Sequence, residues 1–319
     1  MHANLNERLY LIRLVEQARG APLLSYFLHD NALIAEDAIL PLYDKLAALG
    51  HQPRLDVFLY SRGGFTEVTW KVISLLREFC DFLGLLIPHR AHSGATLIAL
   101  AADELVMGPI SELSATDPAR THYLLPKGPE GKAASVSVED LRRVVEWLQV
   151  TTDNAAQVLP TLFQYIHPLA IGALEQSHEL VRLIGRKALL THWDPVEHAE
   201  QIDRVIITLN GGLHSSMYPI SRKEARDELG LPVVYADPEL WNRMWQLYGA
   251  YQQAIYTEEL VPGQPNTIHR WLCIIETAAR STGLRQTVLR DGLQERVLEA
   301  RWETMTRDSL NPSTGEDFG

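Results

Sequence analysis

Ile87-Pro88-His89-Arg90-Ala91-His92-Ser93-Gly94-Ala95-Thr96 joins the end of an apolar run to the start of a small-residue segment. It reads as a strand that turns into a helix at Ser93. The apolar run is Phe82 to Ile87, closed by Pro88, and the small residues continue to Ala102. The unit before it has the same form. Leu55-Asp56-Val57-Phe58-Leu59-Tyr60 is of strand length and runs straight into Ser61-Arg62-Gly63-Gly64. Val68, Val72, Leu75, Leu76 and Phe79 then share one face of a helix. Further out, Leu23 to Leu28 is another strand candidate, set between a helical pattern over Asn6 to Gln17 and a second over Ala35 to Leu49 that Gly50 stops. Leu105-Val106-Met107 is a short strand. Alternating strands and helices with short connections predict an α/β fold with parallel pairing.

Beyond residue 119 the pattern changes. Residues 119–134 are irregular and rich in Gly, Pro and Lys, which reads as a loop or lid. Ser137 and Asp140 form a weak capping box for a helix from Val138 to Leu148. Residues 154–209 are mainly helical in pattern, Ser221 caps a short helix ending at Gly230, and Pro232 to Tyr235 is a late strand. The tail from Asp237 reads as helical. Its Trp241, Trp245 and Tyr248 recur at i, i+4 and i+7, a stripe expected in a core or a subunit contact. Arg270, Arg280, Arg285, Arg290, Arg296, Arg301 and Arg307 are interleaved with acidic residues, so that surface is expected to be solvated or subunit-facing.

Composition narrows the functional classes. The 319 residues are 46% hydrophobic, enough for a sizeable core, and 29 Lys+Arg against 40 Asp+Glu give a net charge of −11. That balance argues against a nucleic-acid partner, which needs clustered cations. Cys80 and Cys273 cannot build a disulfide framework and show no zinc-ligand spacing. The N-terminus lacks the basic-then-apolar order of a signal peptide. Gln157 to Leu174, the longest stretch free of charge, is interrupted by Pro160, Gln164, His167 and Pro168, and is a poor membrane span. The expectation is an acidic, soluble, cytoplasmic protein with no membrane span.

Two features carry chemistry. Gly63-Gly64, between a strand and a helix, is either a plain tight turn or a loop whose N–H groups can approach an anion closely. Ser93 is either a helix N-cap or a hydroxyl projected from a sharp turn, with the Gly94 N–H beside it. Together they outline an acyl-transfer site: the Ser93 hydroxyl next to an oxyanion hole made by Gly64 and Gly94.

These motifs resemble the serine dehydrogenase proteinase family, relatives of signal peptide peptidase A and the Clp protease proteolytic subunit on the ClpP/crotonase fold. The resemblance rests on Leu33-Ile34-Ala35-Glu36-Asp37-Ala38, on Leu59 to Gly64, and above all on Ile87 to Glu104. Thr116-Asp117-Pro118, His167-Pro168-Leu169-Ala170, Tyr218-Pro219-Ile220 and Leu229 to Val233 extend it to about residue 235. It implies an α/β fold, a ClpP/crotonase-like spiral of ββα units over 1–235; the pattern beyond it is read as a helical C-terminal extension over 236–319 that serves oligomerisation or a partner. It implies a serine endopeptidase with Ser93 as nucleophile, Gly64 and Gly94 as oxyanion donors, and no cofactor or metal. The substrate would be a protein or peptide. The protein would assemble as a homo-oligomer, trimer-based or a ring, and a partner protein could deliver substrate or activate it.

Two departures from the family pattern, and one match to a branch of it, bear on the site. Arg62 stands where the family has proline. Thr116 falls near the position of the Clp-type triad histidine, so no His-dependent triad is expected. The signal-peptide-peptidase branch uses a lysine ahead of a helix, and Lys132, ahead of the helix at Val138, matches it as general base in a Ser–Lys dyad. A base role needs a lysine pKa lowered by burial or by nearby positive charge. Lys127 is the neighbouring alternative, and Gly63, His92, Asp117, His122 and His214 are auxiliary candidates. His214 matches the histidine of the family's Thr-His-Asp-Tyr-Pro-Ile loop. The competing readings are a non-catalytic ClpP-fold scaffold or partner-dependent pseudoprotease, and a crotonase-type acyl-CoA enzyme whose two N–H groups stabilise an enolate.

Overall fold

In the computed structural model, the structure describes residues 5–116, 120–121, 124–125, 135–136, 140–141, 143–144, 146–147, 160, 163–164, 166–213, 215, 217–292 and 294–305. The chain packs as two compact units, Met1–Leu113 with Ile220–Gly319, and Ser114–Pro219.

Among the described residues, the first unit is built on a nine-stranded sheet. Five strands run parallel: β1 (Leu23–Leu28), β2 (Gln52–Tyr60), β3 (Cys80–Ile87), β5 (Glu104–Met107) and β10 (Val233–Tyr235). Their continuous apolar runs suit parallel strands covered on both faces. Leu5–Arg19 (α1) and Pro238–Tyr256 (α8) cover one face, where Ile12, Val15, Met244, Leu247 and Tyr251 pack on Leu23, Phe27, Phe58, Leu86 and Val106. Trp241 and Tyr248 join the edge of this cluster, so the aromatic stripe is largely core.

The parallel strands repeat one unit. After β1, β2 and β3 the chain leaves the sheet, adds a short extended piece to a second layer and then enters a helix, and after β5 it adds such a piece too. After β1 that piece is Ile34, before α2 (Ile39–Leu49); after β2 it is Ser61 to Gly64, before α3 (Thr66–Glu78). After β3 it is β4 (Arg90–Ala91), before α4 (Gly94–Ala99), and after β5 it is β6 (Glu112–Ser114). The pieces pair in parallel in turn: Ile34 with Gly64, Ser61 with Ala91, and Arg90 and Ala91 with Glu112 and Leu113. The fold is thus α/β, built as a spiral of ββα units of the kind that the resemblance implies.

The tail differs from the reading of a helical extension. After α8, Thr267–Glu276 (β12), Ser281–Asp291 (β13) and Gln294–Thr304 (β14) form an antiparallel meander that joins the main sheet through β1. The charges that looked like a helical surface instead pair between strands, Arg270 with Glu295 and Arg285 with Glu303. Gly292, at φ 59, turns the chain between β13 and β14. The compact units accordingly do not divide at residue 235: the late strands belong with the N-terminal core.

In the second unit, α5 (Pro168–Leu189) starts at His167, whose side chain accepts from the Leu169 N–H, with Pro168 in the first turn. α6 (Ala199–Ile207) follows it. The Ser137 cap lies outside the described residues. In the first unit the capping box at Ser221 is present, with Glu224 as partner, on α7 (Arg222–Asp227).

Candidate functional site

Ser93 occupies the N-cap position of α4 without behaving as a cap. A capping serine has extended backbone and a side chain bonded to the first-turn N–H groups. Ser93 has φ 50 and ψ −114, and its side chain makes no capping bond. Positive φ in a residue with a Cβ is a strained conformation, one that clusters at functional sites. The strain is held by backbone on both sides: the His92 N–H donates to Ser61 C=O at 3.0 Å, Ser61 N–H to Arg90 C=O at 3.1 Å, and Leu97 N–H to Ser93 C=O at 3.1 Å.

The glycines are where the two strand–turn–helix units touch. Gly63 has φ 108, and a methyl group there would stand 2.7 Å from Ser93 Cβ and 3.1 Å from the Gly94 nitrogen. A methyl on Gly94 would stand 3.2 Å from the Gly64 nitrogen and 2.7 Å from Thr69 Oγ1. The three glycines are therefore needed for close approach, beyond the needs of a turn. Ile34 takes up the backbone groups flanking Gly64: its N–H donates to Gly63 C=O at 2.9 Å and its C=O accepts from Phe65 N–H at 3.0 Å. In this parallel pairing the Gly64 N–H points away from Ile34, to the side of Gly94. The Gly94 N–H is a first-turn donor that α4 itself leaves without an acceptor. Two backbone donors thus lie together beside Ser93, an arrangement able to stabilise an oxyanion.

His92 and its neighbours flank this junction. His92 is buried, with Nε2 3.0 Å from Glu112 Oε1, which also accepts from Arg90 Nε at 3.2 Å. Burial lowers the His92 pKa, against the pull of Glu112. His89 stacks on Tyr60 and meets the Tyr248 hydroxyl at 3.0 Å through Nδ1; burial lowers its pKa too. The structure thus brings together Ser93, Gly63, Gly64, Gly94 and His92. Asp117, His122, Lys127, Lys132 and His214 lie outside the described residues. Thr116 is buried, its hydroxyl 3.3 Å from the Leu209 carbonyl oxygen.

Sequence reasoning missed three supports. Ser61 Oγ accepts from the Gly63 N–H at 3.0 Å and pins the glycine turn where the family has proline beside it. Thr69 fills the space against Gly94. Glu112, reached only through the β4–β6 pairing, had no local signal. The Ser61 role had one: a hydroxyl two residues before a glycine can close a short side-chain turn.

No family model matches the chain. Its relatives include two uncharacterized proteins of Methanocaldococcus jannaschii. MJ0137 is 24% identical over 211 residues, 65% of this chain. MJ1495 is 28% identical over 135 residues, 39% of this chain. The chain spans 63% and 46% of their respective lengths. Similar solved structures include the 1510-N membrane-bound stomatin-specific protease, at 10% identity and a TM-score of 0.38, covering 72% of this chain and 84% of that one. An enoyl-CoA isomerase from M. smegmatis has 16% identity and a TM-score of 0.23, covering 60% and 94%. Among the described residues no helix is long and apolar enough to cross a membrane.

Proposed function

We propose that this protein is a serine peptidase of the serine dehydrogenase proteinase type, cleaving peptide bonds through an acyl-enzyme on Ser93. The observation that carries the reading is the Ser93 backbone, at φ 50 and ψ −114, with a hydroxyl not used for capping at a helix start. In the proposed reaction Ser93 Oγ attacks the scissile carbonyl carbon and its proton passes to the general base. The carbonyl oxygen becomes an oxyanion that accepts from the Gly64 and Gly94 N–H groups. The C–N bond breaks as the base returns the proton to the leaving amine, and water then hydrolyses the ester. Lys132 is the proposed base on the family resemblance, with Lys127, His122 and His214 next. A homo-oligomer supplied with substrate by a partner protein fits the same resemblance.

The test is cleavage of a diverse peptide library, read by mass spectrometry, with labelling by a serine-directed phosphonate. Wild type should cleave and be labelled at Ser93; Ser93→Ala should do neither. Lys132→Ala should retain the fold and lose cleavage. Cleavage that persists in Ser93→Ala would overturn the reading. Absence of both cleavage and labelling in the wild type would favour the non-catalytic scaffold.

A further inference from the structure

On another part of the first unit, the C-terminal half of α2 and the ends of β13 and β14 border a half-open cleft of about 860 Å³. Lys45, Arg280, Thr282 and Thr304 line it, with Asp44 beside Lys45. Lys45 is only 5% exposed, and its ammonium donates to Thr282 Oγ1. Among the described residues it has no ion-pair partner.

That is an unusual place for a lysine. A buried ammonium is normally paired, because the Coulomb attraction of a counter-ion must offset its lost hydration. A buried carboxylate that acts on Lys45, Glu276, is already committed. It accepts from Arg8 Nη2 at 2.6 Å, from the Tyr251 hydroxyl at 2.7 Å and from Ser281 Oγ at 2.5 Å. Asp44 is exposed and on the neighbouring helix position. Arg280, also exposed, adds a second positive charge near Lys45. Burial lowers the Lys45 pKa and Arg280 adds to the effect, while Asp44 and Glu276 oppose it. An ammonium has three donors, and Thr282 takes one.

We propose that this cleft binds a small molecule through an oxyanion group, a phosphate or a carboxylate, held between Lys45 Nζ and the Arg280 guanidinium. The Thr282 and Thr304 hydroxyls are further donors at its rim. The cleft is large enough for an organic molecule carrying that group, since ligand pockets span about 300–1,000 Å³. The inference stands independently of the chemistry at Ser93.

The experiment is calorimetric titration of the full chain with inorganic phosphate and, separately, with succinate, at constant ionic strength. Saturable binding of at least one probe is expected in the wild type, weakened about tenfold or more in Lys45→Met and in Arg280→Gln. Binding of phosphate alone would assign a phosphate ester as ligand class, and binding of succinate alone a carboxylate. Without probe, Lys45→Met should be at least as stable as the wild type, since methionine fills the space without a buried charge. If that variant does not fold, Arg280→Gln decides. No saturable binding of either probe, or undiminished binding in the folded variants, would overturn the proposal.

Discussion

The Ser93 junction and the Glu276 knot both hold polar groups inside the first unit, and they are built in opposite ways. At Ser93 the main chain does the holding: Ile34, Ser61, Gly63 and His92 lock the turn through backbone bonds, and the glycines let them close. At Glu276 three side chains converge from three different elements. Arg8 of α1, Tyr251 of α8 and Ser281 of β13 all meet one carboxylate of β12, and Arg8 and Glu276 are fully enclosed. The first place fails when an atom is added, the second when a charge is removed. A site held by backbone can also lose its reactive side chain and keep its shape.

The largest effect is expected at the knot. Arg8→Met leaves the Glu276 carboxylate buried without its cation, and should cost about 3–5 kcal/mol of stability in urea unfolding. Removing both partners, as Arg8→Met with Glu276→Leu, should recover most of it. A single-variant loss below about 1 kcal/mol would place the knot among weak surface-like pairs.

Gly64→Ala comes next. The new methyl group would stand 2.3 Å from both Ile34 N and O, which are backbone and cannot swing aside. A loss of about 1–3 kcal/mol is expected, and on the proposed mechanism, in which Gly64 N–H is one of two oxyanion donors, peptide cleavage should fall by about 10²–10³. Normal stability and cleavage in this variant would break the claim that backbone contact shapes the site.

Ser93→Gly should act in the opposite sense on stability. Glycine adopts φ 50 without the Cβ penalty, so relief of about 1 kcal/mol is expected, together with loss of cleavage. A destabilised Ser93→Gly protein would mean the turn is unstrained.

The smallest effect is on pH dependence. Burial lowers the His92 pKa from its ordinary 6.5. Below pH 6.5 the unfolded chain therefore binds a proton that the native site refuses, and stability falls as pH drops from there towards the folded-state value. His29 and His89 shift in the same direction, also by burial. His92→Gln should flatten part of the slope of stability against pH, without abolishing it. An unchanged slope would show that His92 titrates alike in both states.

Much of the spiral was legible because its signals are local. The apolar runs of β1, β2 and β3 are contiguous, and the glycines and Ser93 sit at the ends of those runs, where a turn must fall. The tail was misread because alternating Arg and Glu suit a helix face and a cross-strand ladder equally, and only pairing with β12 decides between them. Glu112 was invisible for the same reason: its contact with His92 depends on the register of β4 against β6.

By itself the sequence determined that strands alternate with helices, that Gly63, Gly64, Ser93 and Gly94 stand at turns, and that the chain carries a core and a net negative charge. Each follows from neighbours along the chain, through steric freedom at glycine and the period of apolar residues. Only the tertiary structure decided that Ser93 is strained and not a cap, that the Gly94 methyl position abuts the Gly64 nitrogen, that the late strands return to the first sheet, and that Lys45 is buried without a counter-ion among the described residues. Those depend on which distant backbones close upon one another, a choice made by packing.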